Sequence, residues 1–99
     1  MRRVYILGDG GHDYTDARRF GELHFISIPA ELKWELSAVF DILREGLMES
    51  DEADLLLVSN LASHLAVATA IMVEWYGRVN FLLFRNDKYE EHTLITNRD

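Results

Sequence analysis

Two histidines in this chain stand beside residue types that bind anions or move protons. His12 follows the run Gly8-Asp9-Gly10-Gly11, and His64 closes the run Ser59-Asn60-Leu61-Ala62-Ser63. An imidazole can act as general acid or base, or donate a hydrogen bond to a phosphate. Glycines let backbone N–H groups come close to an anion, and a following helix start adds a favourable dipole. Ser59, Asn60 and Ser63 bring hydroxyl and amide groups that either cap a helix or touch a ligand. The candidate ligand-binding residues are therefore Gly8, Asp9, Gly10, Gly11, His12, Ser59, Asn60, Ser63 and His64.

The glycine run departs from the established phosphate-binding fingerprints. The dinucleotide pattern needs glycine at its sixth position, where Asp13 stands, and a P-loop would end in Gly-Lys-Ser/Thr. No serine elbow surrounds Ser59 or Ser63, so capping is the stronger reading of both. Asp9, His12, Asp13 and Asp16 form an oxygen-rich group that a hard divalent cation could use. Asp13 and Asp16 are better explained as residues of a helix start, so neither a metal nor a cofactor is expected. With no nucleophile motif, no metal motif and no lysine near these runs, binding is favoured over catalysis, and no catalytic residue is assigned. His24, inside a strand, and His92, on an edge strand, read as structural.

The charge balance narrows the partners. Ten Lys+Arg face 17 Asp+Glu, for a net charge of −7. Such a chain has no general attraction to phosphate backbones or anionic lipid, so neither a nucleic acid polymer nor a membrane is expected as partner. A small anionic, nucleotide-like ligand in a local site is still allowed, because backbone N–H groups hold anions without net positive charge. The chain has no cysteine, which removes disulfides, thiolate catalysis and cysteine-based zinc sites.

Ninety-nine residues, 48% of them hydrophobic, with one proline, imply a single globular domain spanning 1–99. Met-Arg-Arg before Val4 is too short for a signal peptide. The longest nearly apolar stretch, 61–76, holds Ser63, His64, Thr69 and Glu74 and is too short to span a bilayer. The expectation is a soluble, intracellular protein.

The elements that must position the two histidine runs follow from hydrophobic spacing. Val4-Tyr5-Ile6-Leu7 reads as a buried strand stopped by Gly8. Asp13 can cap a short helix through Phe20, with Asp16 at the N3 position. Leu23 to Ile28 reads as the second strand. Pro29 suits a helix start. From Glu31 to Met48, apolar residues at Leu32, Leu36, Val39, Phe40, Leu43 and Leu47 recur every 3.6 residues, which predicts a helix with one core-facing stripe. The run Leu55-Leu56-Leu57-Val58 is continuous, as in a strand buried on both faces. A helix over 61–76, ended by Gly77, follows. Val79 to Phe84 and Tyr89 to Thr96 read as a closing hairpin.

Strands alternating with helices imply a mostly parallel sheet with right-handed crossovers. The expected fold is α/β: a minimal Rossmann-like three-layer domain of about five strands, in the order 2-1-3-4-5, the last strand antiparallel. In such a sheet the ligand crevice lies beyond the carboxyl ends of the strands, where the strand order reverses. That point falls between the first and third strands, so it brings the two histidine runs to one place.

The helix over 61–76 is apolar around most of its circumference, whereas packing on one sheet face needs a single stripe. Its excess predicts a homo-oligomer, with Leu65, Val67, Ala68, Met72 and Trp75 at the interface.

His12-Asp13-Tyr14-Thr15-Asp16-Ala17-Arg18-Arg19-Phe20-Gly21-Glu22-Leu23, together with Tyr76-Gly77-Arg78-Val79-Asn80-Phe81-Leu82-Leu83-Phe84, resembles a group of short proteins encoded by tailed bacteriophages. The resemblance covers most of the chain and carries over no catalytic residue. It implies a phage accessory protein acting in the host bacterial cytoplasm. Small phage proteins of this size often counter host defence, some by sequestering cyclic or ADP-ribose-derived signal nucleotides as oligomers. The implied function is a binder of a small nucleotide or phosphorylated signal. The alternatives are a phosphodiesterase-type enzyme on a cyclic nucleotide, using His12 or His64, and an interaction module that inhibits a host protein. The layout is also similar, more faintly, to small CRISPR-associated ring nucleases, an analogy of arrangement only.

Overall fold

A computed structural model of the chain describes residues 1–8, 12–58 and 61–98. Five strands form one sheet: β1 (Arg3–Leu7), β2 (Glu22–Ile26), β3 (Leu55–Leu57), β4 (Arg78–Arg85) and β5 (Lys88–Ile95). Their order is β2-β1-β3-β4-β5. β1 pairs parallel with β2 and β3, β3 pairs parallel with β4, and β4–β5 is antiparallel. This is the expected α/β topology, with the reversal of strand order at β1.

Alternation along the strands sorts two cores. Tyr5, Leu7, Leu56 and Val79 face two helices, α1 (Leu36–Gly46) and α2 (Ala62–Tyr76), which supply Val39, Leu43, Ala68, Ile71 and Met72, with Leu47 just after α1. Val4, Ile6, Leu55, Leu57 and Leu82 face the other way, against Tyr14, Ala17 and Tyr89. Among the described residues, the one helical segment on that second face is a 3₁₀ helix, Thr15–Arg19, so this layer is thin. Leu55, Leu56 and Leu57 are all buried, which explains why their run does not alternate.

The helix expected from Glu31 is shorter at its start. Pro29 (φ −55°, ψ 136°) leads into a 3₁₀ turn, Ala30–Leu32, and α1 begins only at Leu36. The Lys33 carbonyl accepts a hydrogen bond from His64 Nε2, 2.8 Å away. Tertiary contact therefore overrides the continuous periodicity. The stripe shifts accordingly. Val39, Leu43 and Leu47 are fully buried, but Leu36 and Phe40 are exposed.

The short helix expected over 13–20 is a 3₁₀ helix. Asp13 does organise its start, its Oδ1 accepting from the Thr15 N–H (2.9 Å) and hydroxyl. The expected strands over 23–28 and 55–58 end earlier, at Ile26 and Leu57. The hairpin turns on Asn86 and Asp87, whose φ values of 53° and 63° fit a type I′ turn. Gly77, at φ 68°, ends α2 in the left-handed conformation that glycine adopts without penalty, its N–H bonding to the Val73 carbonyl at 2.8 Å.

The apolar circumference of α2 is largely consumed within the chain, because the helix packs on β4 and also on α1. Ala68 and Met72, two of the expected interface residues, are fully buried in the chain's own core. Leu65, Val67 and Trp75 are partly buried and packed against that core.

Candidate functional site

The carboxyl ends of β1 and β3 carry what the structure describes of the two histidine runs. Gly8 follows β1 directly, at φ 76°, and its N–H bonds to the Ile26 carbonyl at 2.8 Å. Among the described residues, a Cβ there would meet no atom within 4 Å. Ser63 and His64 lie in the first turn of α2. Asp9, Gly10, Gly11, Ser59 and Asn60 fall outside the described residues.

The candidates within reach of description differ in role. His64 is buried, and its Nε2 bonds to the Lys33 carbonyl. A carbonyl only accepts, so Nε2 carries the proton and the imidazole is held as a brace between α2 and the segment before α1. Ser63 Oγ is shielded from solvent and has no hydrogen-bond partner among the described residues. His12 is exposed, its ring 6.1 Å from the Tyr14 ring in an edge arrangement. Tyr14 in turn meets Phe25 at 5.8 Å, and Phe25 is half exposed. An aromatic surface thus lies beside β1 and β2. Sequence reasoning did not single out Tyr14 or Phe25, although an aromatic two residues after a histidine in a loop was a readable signal.

Asp13 and Asp16, near this end, are already engaged. Asp13 holds Thr15, and hydrogen bonds from the Thr15 hydroxyl and then its N–H keep the Asp13 carboxyl below its ordinary range. Asp16 accepts from the Tyr89 N–H (3.2 Å) and from Arg19 Nε (3.1 Å). Tyr89 is the larger cause of its lowered pKa. His24 bonds Glu22 at 3.0 Å and His92 bonds Glu90 at 3.3 Å, both on the surface.

A second polar region lies at the opposite, amino ends of the strands. A cleft of about 480 Å³ is lined there by residues including Arg2, Arg3, Asp51 and Asp54. The Asp54 carboxylate is buried and bracketed, accepting from the N–H groups of Arg3 and Asp51, each at 2.9 Å. Arg2 grips Glu91 with two hydrogen bonds (3.0 and 2.7 Å) and the Ala53 carbonyl with a third (2.8 Å). The same bond lowers the Glu91 pKa and raises that of Arg2. Buried Asn80 donates to the carbonyls of Glu52 and Asp54, and accepts from Arg78 and Thr93. These groups face one another, so the network closes the amino end of the sheet. Asn80 was legible in the sequence as a polar interruption of an apolar strand.

A family model for Phage Pam3 gp32-like protein matches residues 3–96, nearly the whole chain. The chain belongs to that family. It is therefore a phage protein, in line with the resemblance carried by the 12–23 and 76–84 segments. No curated protein and no solved structure matches it. Among the described residues of this phage protein, no helix is long and apolar enough to cross a membrane.

Proposed function

We propose that this phage protein is a non-catalytic binder of a small phosphorylated ligand of nucleotide type. The ligand sits beyond the carboxyl ends of β1 and β3 and is sequestered there as a host-defence signal in the bacterial cytoplasm. The observation that carries the reading is the reversal of strand order at β1, with Gly8 following β1 and α2 following the neighbouring β3. In parallel sheets this is where ligands bind. Three features support it. The fifteen-residue helix α2 directs its amino end, the positive end of its dipole, toward this end of the sheet. Ser63 Oγ, in its first turn, has no hydrogen-bond partner among the described residues. Phe25, half exposed and backed by the buried Tyr14 ring, offers ring surface suited to a nucleobase.

Binding is favoured over turnover because His64, one of the two candidate acid–base residues, is held as a brace. His12 then contributes a hydrogen bond to the ligand, worth about 0.5–3 kcal/mol. The test is to incubate the full chain with cyclic nucleotides and ADP-ribose derivatives, measure affinity by calorimetry and analyse released ligand by mass spectrometry. The expected result is one ligand class bound and recovered unchanged, with His12→Ala and Ser63→Ala weakening it. Conversion of the ligand would replace the binder by an enzyme. Absence of binding to every phosphorylated probe would remove the site.

A further inference from the structure

The free edge of β5 is protected at one end and bare at the other. Arg85 and Lys88 flank the two-residue turn and form a hydrogen-bonded pair, so Lys88, Glu90, His92 and Leu94 direct their backbone groups toward β4. Thr96 continues this phase, its N–H bonding to the Gly77 carbonyl at 2.9 Å. Tyr89, Glu91, Thr93 and Ile95 must therefore point theirs outward. At Tyr89 the outward groups are satisfied, the N–H by Asp16 and the carbonyl by Arg19 at 2.7 Å. The N–H and C=O of Glu91, Thr93 and Ile95 meet no partner among the described residues.

Natural edge strands are blunted by proline, lysine, a bulge or short length. The 91–95 stretch has neither proline nor lysine, and β5 pairs with β4 without a bulge over eight residues. Its one acidic side chain, Glu91, is held on the sheet face by Arg2. Thr93-Leu94-Ile95-Thr96 is uncharged, and Leu94 and Ile95 are exposed on opposite faces.

We infer that this edge pairs antiparallel with β5 of a second copy of the chain, about a two-fold axis through Thr93, joining two sheets into one. The bare groups themselves set the register. Thr93 then faces Thr93 of the other copy, Glu91 faces Ile95, and His92 faces Leu94. Every outward N–H of Glu91, Thr93 and Ile95 meets an outward C=O, and within 91–95 no like charges stand opposite one another. A shift that centred the axis on Glu91 would oppose two carboxylates. An edge that is its own complement under a two-fold is the signature of a self-associating, isologous interface.

The test is sedimentation velocity on the full chain across micromolar to millimolar concentration, with residue-resolved amide hydrogen exchange at both limits. The expected mass rises from 11.5 kDa to twice that value. The amides of Glu91, Thr93 and Ile95 slow as it does, while those of α2 do not change. Ile95→Pro removes an outward donor without touching the β4 ladder, and Leu94→Lys places a charge on the edge. Each should weaken association by about tenfold or more. Should either variant fail to fold, the exchange pattern of the unsubstituted chain decides. A monomer at every concentration, a dimer that persists in both folded variants, or protection appearing on α2 would overturn the proposal.

Discussion

The backbone N–H of Tyr89 donates to the Asp16 carboxylate 3.2 Å away, across 73 residues of sequence. Arg19, three residues after Asp16, donates to the Tyr89 carbonyl from the same 3₁₀ helix. One turn of helix therefore both covers the second sheet face and occupies the start of the β5 edge.

That contact has a pH signature. The Tyr89 N–H, and after it Arg19, hold the folded-state Asp16 pKa below its ordinary value. Its contribution to stability is thus complete above the unfolded pKa of about 4 and is lost as pH falls through the lower folded value. Glu91, held low by Arg2, and Asp13, held low by Thr15, act with the same sign. Asp16→Asn should shift the urea midpoint downward near neutral pH and flatten part of its fall in acid. An unchanged acid limb in the variant would show that the Tyr89 contact contributes nothing to folding.

Asn80 makes the sharper stability test. Its amide serves the Glu52 and Asp54 carbonyls at 2.9 and 3.0 Å, and its Oδ1 accepts from Arg78 and Thr93 at 3.1 and 2.8 Å. Asn80→Ala strands those partners in a buried place, at a cost of about 2–3 kcal/mol. Chemical denaturation should register the loss with little change in slope. A loss under about 0.5 kcal/mol, the range of surface substitutions, would mean that water replaces the amide freely.

His64→Ala separates scaffold from ligand contact. Losing the bond to the Lys33 carbonyl and leaving a buried gap should cost about 1–3 kcal/mol of stability. The amide of Lys33 and its neighbours before α1 should exchange faster. Ligand affinity, measured under conditions where the variant is fully folded, should change less than with His12→Ala. The reverse ranking would return His64 to the ligand.

Much of this molecule was determined by the sequence alone. Buried strands announce themselves locally, as in Leu55-Leu56-Leu57, and the alternation of strands with helices leaves few topologies open once crossovers must be right-handed. The order 2-1-3-4-5 was legible for that reason. Tertiary structure decided what each side chain does. His64 and His12 look alike in sequence, yet one is buried against a carbonyl supplied by residue 33 and the other is exposed. Periodicity could not place the start of α1, because the Lys33 carbonyl that would continue the helix is taken by His64. Nor could it show that α1 covers the second apolar side of α2, since a helical wheel records which residues are apolar and not what lies against them. The closure of the amino end by Arg2, Glu91, Asp54 and Asn80, and the clamp of Asp16 and Arg19 on Tyr89, join residues far apart in the chain. Such bonds depend on where strands come to lie side by side, which only the folded sheet specifies.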